Sequence, residues 1–266
     1  MYKLIALDMD GTLLNEEKQI SKANFDAIQN AREKGVKVVL ATGRPLKGIH
    51  QYLTQLNLIS KEEYAVTYNG SLIQNTSGSI IIDKKPLSHE DNKYLYELSK
   101  KLNVNIHALT YDKCITPKLN KYSEYEANMN QIPLEIVDFE NIDENVVIIK
   151  TMFIDEPEIL DRVVPEIPKE VYDRFTVVRS APFFLEFIDK SSNKGSGIHK
   201  LAESLGIKQE EVICIGDAGN DLHMIEYAGL GVAMGNAFEE VKKAADYVTA
   251  TNDDDGVAEV INKFIL

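Results

Sequence analysis

Short apolar runs alternating with amphipathic helical stretches place the strongest limit on how this chain can fold. The run Leu4-Ile5-Ala6-Leu7 is apolar at every position, which suits a strand buried on both faces. In "ISKANFDAIQNAREKG", Phe25, Ile28 and Ala31 recur at three-residue steps, with Ser21 placed to cap a helix and Gly35 to stop it. "VKVVLATG" reads as a second buried strand. "RPLKGIHQYLTQLNL" follows as a helix with Pro45 in its first turn and Ile49, Tyr52, Leu53 and Leu56 on one face. "YAVTYNG" gives a third strand ending in the turn pair Asn69-Gly70. Strand and helix in this order predict a parallel sheet with crossover helices.

The rhythm breaks near residue 80, where polar helical stretches, short β-like runs and prolines mix until about Glu186. It then resumes through "GSGIHKLAESLG", "EVICIGD", "NDLHMIEYAG", "LGVAM", "FEEVKKAAD", "YVTAT" and "GVAEVINKFIL". At 266 residues the chain fits roughly two units. The expectation is an α/β core built from residues 1–83 and 187–266, with an α+β domain inserted over 84–186. The formal charge of -13 argues against nucleic acid or an anionic membrane as partner, because both need a basic face. No apolar run approaches a membrane span. Cys114 and Cys214 lack metal or redox spacing and read as free thiols. With no signal-peptide pattern at the start, the expected location is the cytoplasm.

Ligands of open α/β sheets bind beyond the carboxyl ends of the strands, and polar clusters fall at four such ends. They are Asp8 and Asp10, Thr42-Gly43-Arg44, Asn69, and "GDAGND" with Asp217, Asn220 and Asp221. Lys194 stands at the glycine-rich start of a helix. Aspartates two apart on an extended segment project to one side, so one can attack while the other moves a proton. Crowded carboxylates repel unless a cation sits among them, and an all-oxygen donor set with room for water suits Mg²⁺. The Thr42 hydroxyl, the N–H groups around Thr42 and Gly43, Lys194 and Asn220 fit the equatorial oxygens of a transferring phosphoryl group. Gly11 permits a sharp turn after Asp10.

"DMDGTLL", "ATGRP", the lysine of "NKGSG" and "GDAGNDLHMI" resemble, in order, the four motifs of the haloacid dehalogenase (HAD) superfamily, most closely its Cof-type, YidA-like sugar phosphatases. The similarity runs along nearly the whole chain. It implies a Rossmann-like doubly wound sheet with an inserted C2-type cap whose closure excludes water. It makes Asp8 the nucleophile that becomes an aspartyl phosphate, and Asp10 the general acid and then base. Mg²⁺ would be held by Asp8, the backbone carbonyl of Asp10, and Asp217. Thr42, Gly43, Lys194 and Asn220 would bind phosphate, and Asp221 would orient Lys194 or the metal's waters. Lys190 also lies near the third motif, but Gly195 and the helix start favour Lys194. Arg44 resembles a substrate-facing position, against which stands a surface ion pair, and Asn69 is equally readable as a turn.

The implied substrate is a small cytosolic phosphomonoester, first of all a sugar phosphate, hydrolysed by a monomer or homodimer. The alternatives are a phosphatase for flavin, pyridoxal or nucleotide phosphates, a phosphomutase, and a metabolite-binding regulator without turnover. Tyr111, Tyr122, Tyr125 and His107 read as packing residues before sugar contacts. "NDDDG" at 252–256 reads as a solvated turn and helix start, since it lacks the spaced ligands of a calcium loop.

Overall fold

β1 (Leu4–Leu7) is buried at all four positions in the computed structural model, which describes residues 1–266. Ile5 and Leu7 enter one apolar cluster, and Leu4 and Ala6 another on the opposite sheet face. Each large side chain so buried contributes ~1.5–3 kcal/mol. α1 (Lys22–Glu33) begins at Ser21, whose hydroxyl accepts the Asn24 N–H at 3.1 Å. β2 (Lys37–Ala41), α2 (Leu46–Gln55) and β3 (Tyr64–Thr67) complete the first alternation. Pro45 lies one residue before α2, as its cap, rather than in the first turn.

The chain then does something that the alternation does not foretell. β4 (Leu72–Asn75) and β5 (Ile81–Lys84) run antiparallel and extend the sheet edge as a hairpin. The turn into β4 places Tyr68 and Asn69 at φ 52 and 53° and Gly70 at +94°. A Cβ on Gly70 would lie 2.1 Å from the Asn193 carbonyl oxygen, so only glycine admits this close approach.

The inserted residues form α3 (His89–Leu102), β6 (Asn105–Leu109), β7 (Cys114–Thr116), α4 (Lys121–Met129), β8 (Leu134–Ile136), β9 (Lys150–Ile154), α5 (Pro157–Val163), α6 (Lys169–Arg174), β10 (Phe175–Ala181) and β11 (Phe184–Asp189). Their sheet has the order β10-β11-β9-β6-β7-β8, antiparallel except between β7 and β8. It has its own apolar core around Leu95, Phe153, Leu160, Phe175 and Phe187.

α7 (Lys194–Ser204), β12 (Val212–Gly216), α8 (Leu222–Tyr227), β13 (Leu230–Ala233), α9 (Glu239–Ala244), β14 (Tyr247–Val248) and α10 (Gly256–Phe264) return to the first sheet. Its order is β14-β13-β12-β1-β2-β3-β4-β5, parallel from β14 to β3. The chain thus divides into Met1–Lys84 with Asn193–Leu266, and Lys85–Ser192. A return at residue 187 would cut β11, which stays paired with β10 through Asp189. The divide lies at 192/193 for that reason. No helix is long and apolar enough to cross a membrane.

Candidate active site

The site is built from loops at the carboxyl ends of β12, β1, β2 and β3, with the first turn of α7 beside them. Asp8 follows β1 directly, and its N–H donates to the Ile215 carbonyl at 3.0 Å. The chain then turns at Gly11, φ +90°, where a Cβ would lie 2.5 Å from Asp217 Oδ2. Any other residue would push that carboxylate away. Thr12 fixes the same group, donating from Oγ1 to Asp217 Oδ1 at 2.8 Å.

Lys194 opens α7 inside a reciprocal cap. Asn193 Oδ1 accepts the Ser196 N–H at 2.8 Å, and Ser196 Oγ accepts the Asn193 N–H at 3.1 Å. Its side chain is fully buried and donates to Asp8 Oδ1 and, at 2.7 Å, to Asp221 Oδ1. Lys190 instead bonds the Tyr172 carbonyl at 2.5 Å, within the inserted unit. Asp221 Oδ2 accepts the N–H groups of Asp217 at 2.9 Å and Ala218 at 3.0 Å, so both Asp221 oxygens are engaged in holding the loop and the lysine.

Burial pushes the Asp8 carboxyl well above the usual range; Lys194 opposes this, while Asp221 and Asp217 add to it. Burial also raises Asp217, against the Thr12 hydrogen bond and with Asp221. Burial disfavours the Lys194 charge, but Asp221 and Asp8 outweigh it and keep the ammonium protonated. One oxygen from each of Asp8, Asp217 and Asp221 lies within 4.8 Å of the others. Three carboxylates against one ammonium leave two negative charges, which a hard divalent cation matches. With Asp221 engaged elsewhere, Asp8 and Asp217 are the side chains suited to hold it.

Asp10 points elsewhere. Arg44 grips it with Nε on Oδ2 at 3.0 Å and Nη2 on Oδ1 at 2.8 Å, and Lys18 adds Nζ on Oδ1 at 3.0 Å. Burial pushes its pKa up, but Arg44 and Lys18 prevail and hold it below the usual carboxylate range. Arg44 is therefore a partner of Asp10, in a pair that leaves its own side chain only 16% exposed. Nothing in the sequence marks Lys18, a basic residue in the polar turn "NEEKQI".

The Thr42 N–H is not a donor for a ligand, because it is spent on the Val66 carbonyl at 2.9 Å in the sheet. Its hydroxyl accepts the Arg44 N–H at 3.2 Å and keeps its own proton to donate. Asn69 is more than a turn residue. Its N–H donates to the Thr42 carbonyl at 2.9 Å, and its Oδ1 accepts Asn220 Nδ2 at 3.2 Å, tying the loops after β2, β3 and β12 together.

The inserted unit holds a second buried lysine that the sequence did not reveal. Lys150 on β9 lies 3.1 Å from Glu186 on β11 and 3.9 Å from Glu126 on α4, all nearly without exposure. His107 is buried close by, with ring nitrogens 3.3 Å from Ser123 Oγ and 3.2 Å from Met152 Sδ. Tyr122 stacks on Phe183, and Tyr125 meets the same ring edge-on.

A strand-end carboxylate, a buried lysine and an acidic cluster that could hold a cation, all on a parallel sheet, suit phosphoryl-transfer chemistry. Residues 5–261 match the family model of the haloacid dehalogenase-like hydrolases, and the chain belongs to that family. Over its whole length it is 45% identical to "Putative phosphatase YxeH" of Bacillus subtilis, covering 99% of that protein. It is 37% identical to the 5-amino-6-(5-phospho-D-ribitylamino)uracil phosphatase YcsE of Bacillus subtilis, with 99% of this chain and 96% of that protein aligned. Among solved structures it resembles the HAD subclass IIB sugar phosphatase BT4131, with a TM-score of 0.81, 31% identity and 98% of each chain covered. The protein is an enzyme of the HAD phosphatase type.

Proposed function

We propose that the protein is a Mg²⁺-dependent phosphatase of small cytosolic phosphomonoesters that works through an aspartyl phosphate on Asp8. The observation that carries this reading is the buried Asp8 carboxylate, held by Lys194 beside Asp217. When bound by Asp8, the Asp10 carbonyl and Asp217, Mg²⁺ would neutralise the surplus charge and let the substrate's anionic phosphoryl group approach. Asp8 attacks phosphorus, and the ester oxygen leaves with a proton from Asp10. Asp10 then takes a proton from the water that hydrolyses the acyl phosphate. Arg44 and Lys18 hold Asp10 ionised, the form needed for that second half. The first half requires a proton on the same carboxylate, and hence a looser grip by Arg44. The Thr42 hydroxyl, the Gly43 N–H, Lys194 and the Asn220 amide bind the equatorial oxygens.

A phosphate on a polyol chain is common to the sugar phosphatase and the ribitylaminouracil phosphatase among the relatives, and this ester class is the proposed substrate. Selection within it is assigned to the inserted unit, Lys85–Ser192. Phosphate release from sugar, ribityl, flavin, pyridoxal and nucleotide monophosphates tests the proposal, with Mg²⁺ and with chelator, for wild type and Asp8→Asn. Chelator-sensitive release from polyol phosphates that vanishes in the variant is expected. Release that survives Asp8→Asn would overturn the nucleophile, and preference for planar-ring phosphates without a polyol would overturn the substrate class.

A further inference from the structure

The segment between β13 and α9 joins three strand ends. Met234 N–H donates to the Gly216 carbonyl at 3.0 Å, Phe238 N–H to the Asp217 carbonyl at 3.0 Å, and Gly235 N–H to the Ala250 carbonyl at 2.9 Å. Its backbone is thereby fixed to the loop of Asp217. One side chain reaches across to the other loop. Asn236 Nδ2 donates to the Gly11 carbonyl at 2.8 Å, while its Oδ1 accepts the Asn252 N–H at 3.0 Å. The two bonds demand opposite ends of the amide, which fixes its orientation. Asn252, itself nearly buried, donates from Nδ2 to the Leu14 carbonyl at 2.9 Å.

The Asp8–Leu14 loop has weak means of its own to keep its shape. Thr12 N–H to Met9 carbonyl and Leu13 N–H to Asp8 carbonyl are both 3.3 Å, and only Leu14 N–H to Met9 carbonyl is short, at 2.9 Å. The peptide that Asn236 grips lies between Gly11, whose Cα faces the Asp217 carboxylate, and Thr12, whose hydroxyl bonds it. A shift of that peptide moves Asp217 relative to Asp8.

We propose that Asn236 is a positioning residue, which clamps the loop of Asp8 and Asp10 to the loop of Asp217 and so sets the spacing of the carboxylates suited to Mg²⁺. The role in turnover rests on the phosphatase reading above; the role in loop order and cation binding does not. Asn236 is exposed, so its replacement leaves the core intact.

The test compares full-length wild type with Asn236→Ala and Asn236→Asp. The second keeps an acceptor for the Asn252 N–H but loses the donor to Gly11. Hydrogen exchange is followed at Thr12, Leu13 and Leu14, Mg²⁺ affinity by calorimetry, and kcat and KM on the best substrate. Both variants are expected to exchange these amides faster and to lose ~10–100-fold in kcat at nearly constant KM, with Asn236→Ala weakening Mg²⁺ binding by a similar factor. Melting temperature in chelator should hold. Wild-type exchange in both variants would overturn the clamp, as would faster exchange with unchanged kcat and Mg²⁺ affinity. A fall in melting temperature that accounts for the lost activity would reduce Asn236 to a structural anchor. A wild type that releases no phosphate from any ester sinks the phosphatase reading, while exchange and Mg²⁺ affinity still judge the clamp.

Discussion

Lys194 and Lys150 are both buried ammonium groups held between two carboxylates, one in each unit. Their surroundings differ. Around Lys194 the acids stand on loops past the ends of β1 and β12, and a third carboxylate, Asp217, is close. Around Lys150 the acids stand on β11 and α4, and the neighbours include the Cys114 thiol, the Met152 thioether and a neutral His107. A buried ion pair alone is weak evidence of chemistry, since desolvation offsets much of its attraction. Surplus negative charge at strand ends is what sets the first centre apart.

The contrast can be broken in several ways. The largest expected effect is on turnover, where Asp8→Asn should lower kcat by several orders of magnitude while circular dichroism and melting stay close to wild type. A variant retaining most of its rate would dissolve the distinction between the two centres. Next come the lysines themselves. Lys194→Met leaves Asp8 and Asp221 buried without their cation, and Lys150→Met does the same to Glu186 and Glu126. Each should cost ~3–5 kcal/mol in denaturant unfolding.

Apolar replacement of the whole trio sharpens the comparison. Lys150→Met with Glu126→Leu and Glu186→Leu should recover most of the stability lost by the single change, because a well-packed apolar cluster substitutes for a structural ion pair. If kcat falls in this triple variant as far as in Asp8→Asn, the second centre is also part of the chemistry. The last effect is spread over pH and concerns His107, which burial, helped by the Lys150 charge, pushes down to about 3 from 6.5. The unfolded chain takes up this proton as pH falls through 6.5, whereas the folded one does so only near 3. Stability present above pH 6.5 should therefore drain away between these values, by at most ~1.4 kcal/mol per pH unit. His107→Leu should flatten that acid limb in unfolding titrations.

What could be read from the sequence follows the same division. Asp8, Lys194 and Asp217 were legible because each stands at the end of a recognisable strand or the start of a helix, where topology alone brings chain-distant residues together. The Thr12–Asp217, Lys18–Asp10 and Asn69–Asn220 contacts depend on side-chain reach between loops, which no local pattern encodes. The Lys150 trio was invisible because its members lie on β9, β11 and α4, in a region whose strand registers carry no motif. The β4–β5 hairpin went unread because the parallel rhythm gives no notice of where an antiparallel edge begins. The Thr42 N–H is closed to a ligand because sheet pairing extends one residue past β2, to Val66, which no local pattern announces.

The glycine at position 70 has a consequence for how proteins of this plan can diversify. Lys84 leaves the first unit paired with Leu72 in its edge hairpin, and Asn193 re-enters it pressed against Gly70. Both attachments are made by the first unit with itself. Residues 85–192 are thus spliced between two fixed docking points, so an insert of another length or sequence can be joined at the same two places without disturbing how the first unit closes on itself.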